Sequence, residues 1–455
     1  MPKKPDPQVI IVGAGPAGAI AAFSCARVGL SVLLLEAAPE KEFGNPCVIE
    51  LDKATFAACA VPEPPPDEIA FVQKGARIFS PGGVEVMRFN GHAMYAVYLQ
   101  PMVRRLAGYA RDAGAQVKFG WRVEEPIIEG ERVTGVVVRS PKGRRSKLQA
   151  QMVIDATGID AVLTRQLPAH WGMDFVDRPT DHVLAESRMY KIDVDKARAA
   201  VDAGLVLDDI TMHQVGQNGS YSTHSVFVSL KNRHAFLLVG VKEENAPPTA
   251  AMMIDNLAVR CDFLTKEITR GSNTIPIRRA GARLVADGFA TIGDAGRMVV
   301  PLHASGVTSG MLAGHGLALQ LSRILRSGRP ATTEALWPWL AAYQRGRGAV
   351  LASYDANRRI LEKLDPMEQS EPLMRHGVMQ TEDMEKTLTA KPLRISAESV
   401  PGRLFGITQA PRTAIGFLSK TWRSFACEAH WRRFPERWDY ESFYRWKRRA
   451  NQLLP

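Results

Sequence analysis

Gly13-Ala14-Gly15-Pro16-Ala17-Gly18 follows the apolar run Val9 to Val12 and opens a stretch of small residues. A second apolar run, Ser31 to Leu35, ends in Glu36. Gly13 permits a tight turn, Gly15 lets the backbone approach a pyrophosphate, and Gly18 lets a helix pack close to a strand. Phosphates would then sit at the helix N-terminus beside Pro16 and Ala17, where free N–H groups and the positive dipole end attract anions. Glu36, 18 residues after Gly18, is placed to accept a hydrogen bond from a ribose 2′-OH. The spacing predicts a dinucleotide-binding βαβ unit, and with it redox chemistry. A second such unit for a nicotinamide cofactor is not found. Gly216-Gln217-Asn218-Gly219-Ser220 lacks both a preceding apolar strand and a following helix.

Two further stretches repeat the pattern of an apolar strand that ends in small or acidic residues. Gln151 to Ile154 runs into Asp155-Ala156-Thr157-Gly158, and Phe289 to Ile292 runs into Gly293-Asp294-Ala295-Gly296. The latter is followed by Pro301, Gly306 and a Gly/Ala-rich helical stretch from Val307 to Leu321. Ligands approach the carboxyl ends of parallel strands closely, which is where these residues fall. The three landmarks lie far apart, so one nucleotide-binding unit is assembled from separate pieces. The expected architecture is α/β. A Rossmann-type unit is formed by 1–165 and 280–330, with part of 70–98 joining a second sheet. An inserted antiparallel substrate domain spans 166–279, where Ser225 to Leu230 and Ala235 to Val241 are strand-like. A helical, basic, Trp-rich region spans 331–455. Pro81-Gly82-Gly83 predicts a hairpin turn.

The 455 residues are 45% hydrophobic and 23% charged, the usage of an ordinary globular protein with a large core. The most apolar window, Val9 to Leu35, changes period from strand to helix to strand, so no membrane-spanning helix is expected. No apolar leader follows Met1-Pro2-Lys3-Lys4, which predicts a cytoplasmic protein. The five cysteines are scattered, with no C-x-x-C, which argues against disulfides and iron–sulfur clusters. No metal-ligand spacing is present. Lys391 to Pro455 carries 13 Lys and Arg against 5 Asp and Glu, together with Trp422, Trp431, Trp438 and Trp446.

The three landmarks, in this order, resemble FAD-dependent oxidoreductases of the para-hydroxybenzoate hydroxylase fold. Gly44-Asn45-Pro46-Cys47-Val48-Ile49 and the stretch Lys74 to Val86 are similar to the geranylgeranyl reductase family. Its members use reduced FAD to saturate double bonds of prenyl chains. The resemblance implies that Gly13, Gly15, Gly18 and Glu36 hold the ADP half of FAD. It also implies that Asp294 binds the ribityl chain beside Gly293, and that Gly306 brings the Val307 helix N-terminus against the flavin pyrimidine. Cys47 falls at the Pro-Cys element beside the flavin. The sequence departs from the family pattern at Ser225 to Leu230, which lacks the aromatic Trp and Pro. It departs again at Leu99, where an Arg is common; Gln100 or Arg104 would have to supply that contact.

Saturating an alkene needs hydride on one carbon and a proton on the other. Cys47 and His303 are the candidate proton donors. Each also has a plain structural reading, as a buried inert thiol and as a histidine satisfied by backbone. His182, His213, His224 and His234 receive no role. In the tail, Ile415, Leu418, Trp422, Phe425 and Ala429 recur at helical spacing beside Lys420, Arg423, Arg432 and Arg433. That stripe suits either an anionic membrane surface or packing against the protein's own body. No nucleic-acid fold accompanies the charge. The expected activity is reduction of an isoprenoid or other hydrophobic lipid, with electrons from NADPH, reduced ferredoxin or a quinol. The alternatives are an aromatic monooxygenase or halogenase, and an electron-transfer dehydrogenase feeding quinone. The Trp-x-Trp-x-Ile-Pro segment of halogenases is absent.

Overall fold

A computed structural model describes residues 6–173, 178–216, 223–242 and 248–454. The leading Met1 to Pro5, and Gln217 to Ser220 of the glycine-containing stretch, lie outside the described residues. Three sheets form the body.

The six-stranded sheet runs in the order Val285–Ala286, Phe289–Thr291, Met152–Asp155, Val9–Val12, Val32–Leu35, Gln116–Lys118. All neighbours are parallel except the first, edge pair. Parallel strands are covered on both faces, which explains their unbroken apolar runs. Val9, Ile11, Val32 and Leu34 face a helical layer, while Ile10, Val12, Leu33 and Leu35 face Val123, Val133, Val136 and Val138 of a three-stranded sheet. The register pairs Val12 with both Leu35 and Asp155, and Asp155 with Thr291. The three landmarks therefore end side by side on one edge.

Helix Pro16–Arg27 leaves the first strand and packs against helix Val307–Leu325. Small residues make that contact close: a Cβ on Gly314 would stand 2.6 Å from the Ala17 carbonyl oxygen.

The eight-stranded sheet runs Leu264–Pro276, His182–Ile192, His234–Lys242, Thr223–Ser229, Thr211–Val215, Ile69–Phe79, Glu85–Tyr98, Val48–Asp52. Five strands come from 182–276 and three from 48–98. It departs from the all-antiparallel expectation at one joint, where Thr211–Val215 lies parallel to Ile69–Phe79. The two groups of strands arrive from distant parts of the chain, so no hairpin dictates their direction there. Pro81 to Gly83 forms the turn between Ile69–Phe79 and Glu85–Tyr98, with Gly83 at φ +79°. Beyond Pro330 the described residues form helices, including Ala349–Leu361, Pro411–Trp431 and Tyr440–Leu453. No helix among the described residues is long and apolar enough to cross a membrane.

Candidate active site

The edge where the landmarks meet forms one end of a cavity of about 980 Å³. Gly13, at φ +96°, turns the chain, and its N–H donates to the Leu35 carbonyl at 2.8 Å. A Cβ there would stand 2.4 Å from the Ala156 carbonyl oxygen, and one on Gly18 would stand 1.9 Å from the Gly13 carbonyl oxygen. Gly13 and Gly18 therefore build the framework without lining the cavity. Gly15 is different: nothing lies within 4 Å of an added Cβ, and with Pro16 and Ala17 it lines the cavity. No side chain caps this helix N-terminus, so its N–H groups are left for an anion. Glu36 braces the turn, its carboxylate accepting from the N–H groups of Ala14 (2.9 Å) and Ala38 (2.8 Å).

The structure does not bring Asp155 to the cavity. Its fully buried carboxylate accepts from the N–H and hydroxyl of Thr157, the N–H of Leu163, and the N–H and hydroxyl of Thr164. It organises the loop after its strand, and Gly158 in that loop lines the cavity.

Asp294 also lines the cavity, and burial pushes its carboxyl up to about 6 against the opposing pull of Arg297. No hydrogen bond from the described residues reaches its carboxylate. Gly293, at φ +64°, turns the chain here, and a Cβ on Gly306 would stand 2.8 Å from Asp294 Oδ1. Pro301 is buried behind a tight loop closed by the Val300 N–H to Ser305 carbonyl bond, and it does not line the cavity; Gly306 and Val307 do. A buried acceptor with no protein partner among the described residues fits the ribityl portion of FAD, and an uncapped helix start under the open space at Gly15 fits its pyrophosphate.

Cys47 lines the cavity but is only 3% exposed. The Asn273 amide donates to its sulfur at 3.5 Å, and burial pushes the thiol up to about 11. His303 lines the cavity with its Nε2 donating to the Thr387 carbonyl at 3.0 Å. His213, given no role from sequence, faces it from the eight-stranded sheet. Its Nδ1 stands 2.6 Å from Ser225 Oγ, on the paired strand. Burial foremost, with His303 nearby, lowers its pKa to about 4, so it stays neutral. Gln100 and Arg104 do not point at the cofactor space. Their side chains donate to the carbonyls of Lys41, Phe43 and Gly44, holding the segment that leads to Cys47.

Away from the landmarks the cavity is lined with Met87, Met94, Met374, Met379 and Met384. Thioether side chains adapt to irregular apolar guests. The lining ends at Val400, Leu404, Leu418 and Phe425, which are 40%, 58%, 39% and 43% exposed. Phe405, Ile415 and Trp422 extend this rim on the surface. The rest of the tail is structural. Trp431 is 1% exposed and packs edge-on against Trp446, while Trp438 packs on Trp337.

The FAD binding domain family matches residues 68–351, and an NAD(P)-binding Rossmann-like domain matches residues 11–41. The digeranylgeranylglycerophospholipid reductase of Sulfolobus acidocaldarius is 26% identical over 368 residues, covering 78% of each chain. That of Methanoculleus marisnigri is 28% identical over 354 residues, covering 76% of this chain and 83% of its own. The fold is that of a geranylgeranyl bacteriochlorophyll reductase-like protein from Thermoplasma acidophilum, with TM-score 0.69, 18% identity, and coverage of 91% of this chain and 99% of that one. A myxobacterial chondrochloren halogenase shares it at TM-score 0.61 and 15% identity, over 99% of this chain and 98% of its own. Fold alone therefore does not choose between reduction and halogenation, whereas the sequence relatives are reductases. The chain belongs to the FAD-binding-domain family, and within it to the geranylgeranyl reductase group of FAD-dependent oxidoreductases.

Proposed function

We propose that this flavoenzyme saturates carbon–carbon double bonds in the prenyl chains of a membrane lipid. The observation that carries the reading is the continuity of one cavity, from the glycine turn through a Met-rich apolar channel to an exposed apolar rim. Such a space suits a long flexible hydrocarbon that enters end-on. Residues 1–165 with 280–330 act as the flavin unit, 166–279 as the substrate cover and 331–455 as the wall that carries the rim. Gly15, Pro16 and Ala17 receive the pyrophosphate, Asp294 accepts from ribityl hydroxyls, and Gly306 and Val307 abut the pyrimidine. Once bound and reduced, FAD supplies a hydride from N5. The apolar channel excludes water and holds the alkene, which converts the transfer into a proximity-driven step. NADPH, reduced ferredoxin or a quinol would reduce the flavin.

Anaerobic photoreduction of the bound flavin tests this reading. A digeranylgeranylglycerophospholipid should reoxidise it without oxygen. Reoxidation by oxygen alone, with hydroxylation or halogenation of an aromatic compound, would instead place the protein with the monooxygenases and halogenases.

The rim also suits docking at the surface of an anionic bilayer. Arg412, Lys420 and Arg423 are exposed on the same helix as Ile415, Leu418, Trp422 and Phe425. Each suitably placed basic residue adds about 1 kcal/mol of attraction to anionic lipid. Co-sedimentation with phosphatidylserine-containing vesicles should be strong at low salt and weaken as salt rises. The pair Phe405→Ser and Trp422→Ser should reduce binding several-fold while leaving Tm unchanged. Wild-type protein that stays in the supernatant at every salt concentration would remove the membrane from this reading.

A further inference from the structure

One titratable group in the cavity has no part in the roles above. Glu50 lies on strand Val48–Asp52 and pairs with Ala96. Alternation along the strand buries Leu51 in the nucleotide-unit core and sets Glu50 on the other face with Val48, where both line the cavity beside Ile49. It is half-buried, its exposed part facing the cavity. No hydrogen bond or ion pair from the described residues reaches its carboxyl.

The strand fixes where that carboxyl stands. Cys47 precedes it by three residues, roughly 10 Å along an extended strand. Asp52, two residues further on, lines a second cavity of about 110 Å³ with His303 and Ser305. Glu50 thus lies between the Cys47 segment and the loop that leads to Gly306, the two places against which the flavin ring would rest.

We propose that Glu50 is the catalytic acid, giving its proton to one alkene carbon while the reduced flavin delivers hydride to the other. The assignment rests on the reductase reading above. The carbon–carbon π bond breaks and two C–H bonds form. The reduced flavin loses two electrons with the hydride, and Glu50 is left as a carboxylate that takes a proton from water after product leaves.

Burial alone raises the Glu50 pKa to about 7. A proton donor works best when its pKa lies near the working pH, which favours Glu50 over the Cys47 thiol at about 11. His213, neutral down to about pH 4, holds no spare proton to give. Other charged groups leave Glu50 unpaired. On strand His182–Ile192, Ala185 and Ser187 face the cavity, while Glu186 and Arg188 pair on the opposite face with Asp255. Tyr98 lies on the paired strand, and His315 on helix Val307–Leu325 bonds Ser24. Asp294, His213 and His303 share the cavity without bonding to it.

The test compares flavin-loaded wild type, Glu50→Gln and Glu50→Asp. In anaerobic reoxidation by a digeranylgeranylglycerophospholipid, Glu50→Gln should be slower by about 100-fold or more and lose the fall in rate above about pH 7. Glu50→Asp should recover part of the rate. A second readout needs no turnover. A folded protein that keeps this proton to higher pH than its unfolded chain loses stability as pH rises from about 4.5 through about 7. Glu50→Gln escapes that loss, so its Tm advantage over wild type should grow between about pH 5 and about pH 8. A Tm difference independent of pH overturns the buried acid. Wild-type reoxidation rates and pH profile in Glu50→Gln overturn its catalytic role. A wild-type enzyme that the prenyl lipid cannot reoxidise overturns the reductase reading itself, and the assignment falls with it.

Discussion

Replacing Gly15 by Val is expected to give a folded, colourless protein. Gly15 sits at φ −57° and ψ 177°, a conformation any L-residue adopts, and an added Cβ meets nothing within 4 Å. The valine methyls would instead fill the space over the uncapped helix start where the pyrophosphate belongs. Neighbouring glycines would make poor controls for binding, because a Cβ on Gly13 or Gly18 would collide with backbone. Gly15→Val therefore separates cofactor loss from misfolding. Free FAD at a hundredfold excess over its Kd should stabilise wild-type apoprotein by about 2.7 kcal/mol and the variant by nothing measurable. Absorbance spectra of the purified proteins and thermal melts with added FAD measure both effects. A variant that purifies with full flavin occupancy would show that the pyrophosphate lies elsewhere.

The second large effect is on stability. Trp431→Ala should cost about 3–5 kcal/mol, since it removes a fully buried indole from a packed aromatic cluster. The ring stands 5.1 Å from Trp446 and 4.9 Å from the guanidinium carbon of Arg279. Arg279 is itself buried, its pKa lowered to about 10 by loss of solvent, so removing its aromatic partner adds to the cost. Trp422→Ala is the contrast. That indole is 55% exposed, and its loss should change stability by less than about 0.5 kcal/mol. Urea denaturation of the two variants beside wild type reads the difference. Equal midpoints would mean that the C-terminal cluster does not hold the fold together.

These tryptophans show where the sequence was legible and where it was not. Both lie on one helix, Pro411–Trp431. The helical period of the stripe Ile415 to Ala429, which includes Trp422 but not Trp431, predicts that helix. It does not say which part of a long helix is covered. The helix tail, with Cys427 and Trp431, is clamped by helix Tyr440–Leu453, while Ile415 to Phe425 is left at the cavity rim. The packing reading describes the clamped end of the helix, and the exposed stretch is the part on which the membrane proposal rests. The parallel sheet was legible because strands buried on both faces carry continuous apolar runs that end in glycine or acid. Asp155 shared that signature with Asp294, yet the first is saturated by local donors and the second is not. Only the loop geometry distinguishes them. Glu50 left a faint signal, a lone acid in the apolar run Val48 to Leu51. A charged residue in a strand ordinarily marks a solvent face, so the pattern alone pointed away from the cavity that the eight-stranded sheet encloses. His213 was hidden for a similar reason, since its partner Ser225 is a cross-strand neighbour that no sequence period reveals.

The central strands Val9–Val12, Met152–Asp155 and Phe289–Thr291 are hydrogen-bonded neighbours drawn from the start, the middle and the far half of the chain. A ribosome moving at about 5–20 residues/s needs roughly 15 s to a minute before the last of them exists. Val9 to Val12 first waits for Met152 to Asp155, which then waits for Phe289 to Thr291, so one apolar edge after another lacks a partner through that interval. The nascent chain is therefore a client for holding chaperones, and slowing synthesis by itself prolongs the exposure. Co-expression with such chaperones should raise the yield of flavin-loaded protein more than lowering the rate of translation does.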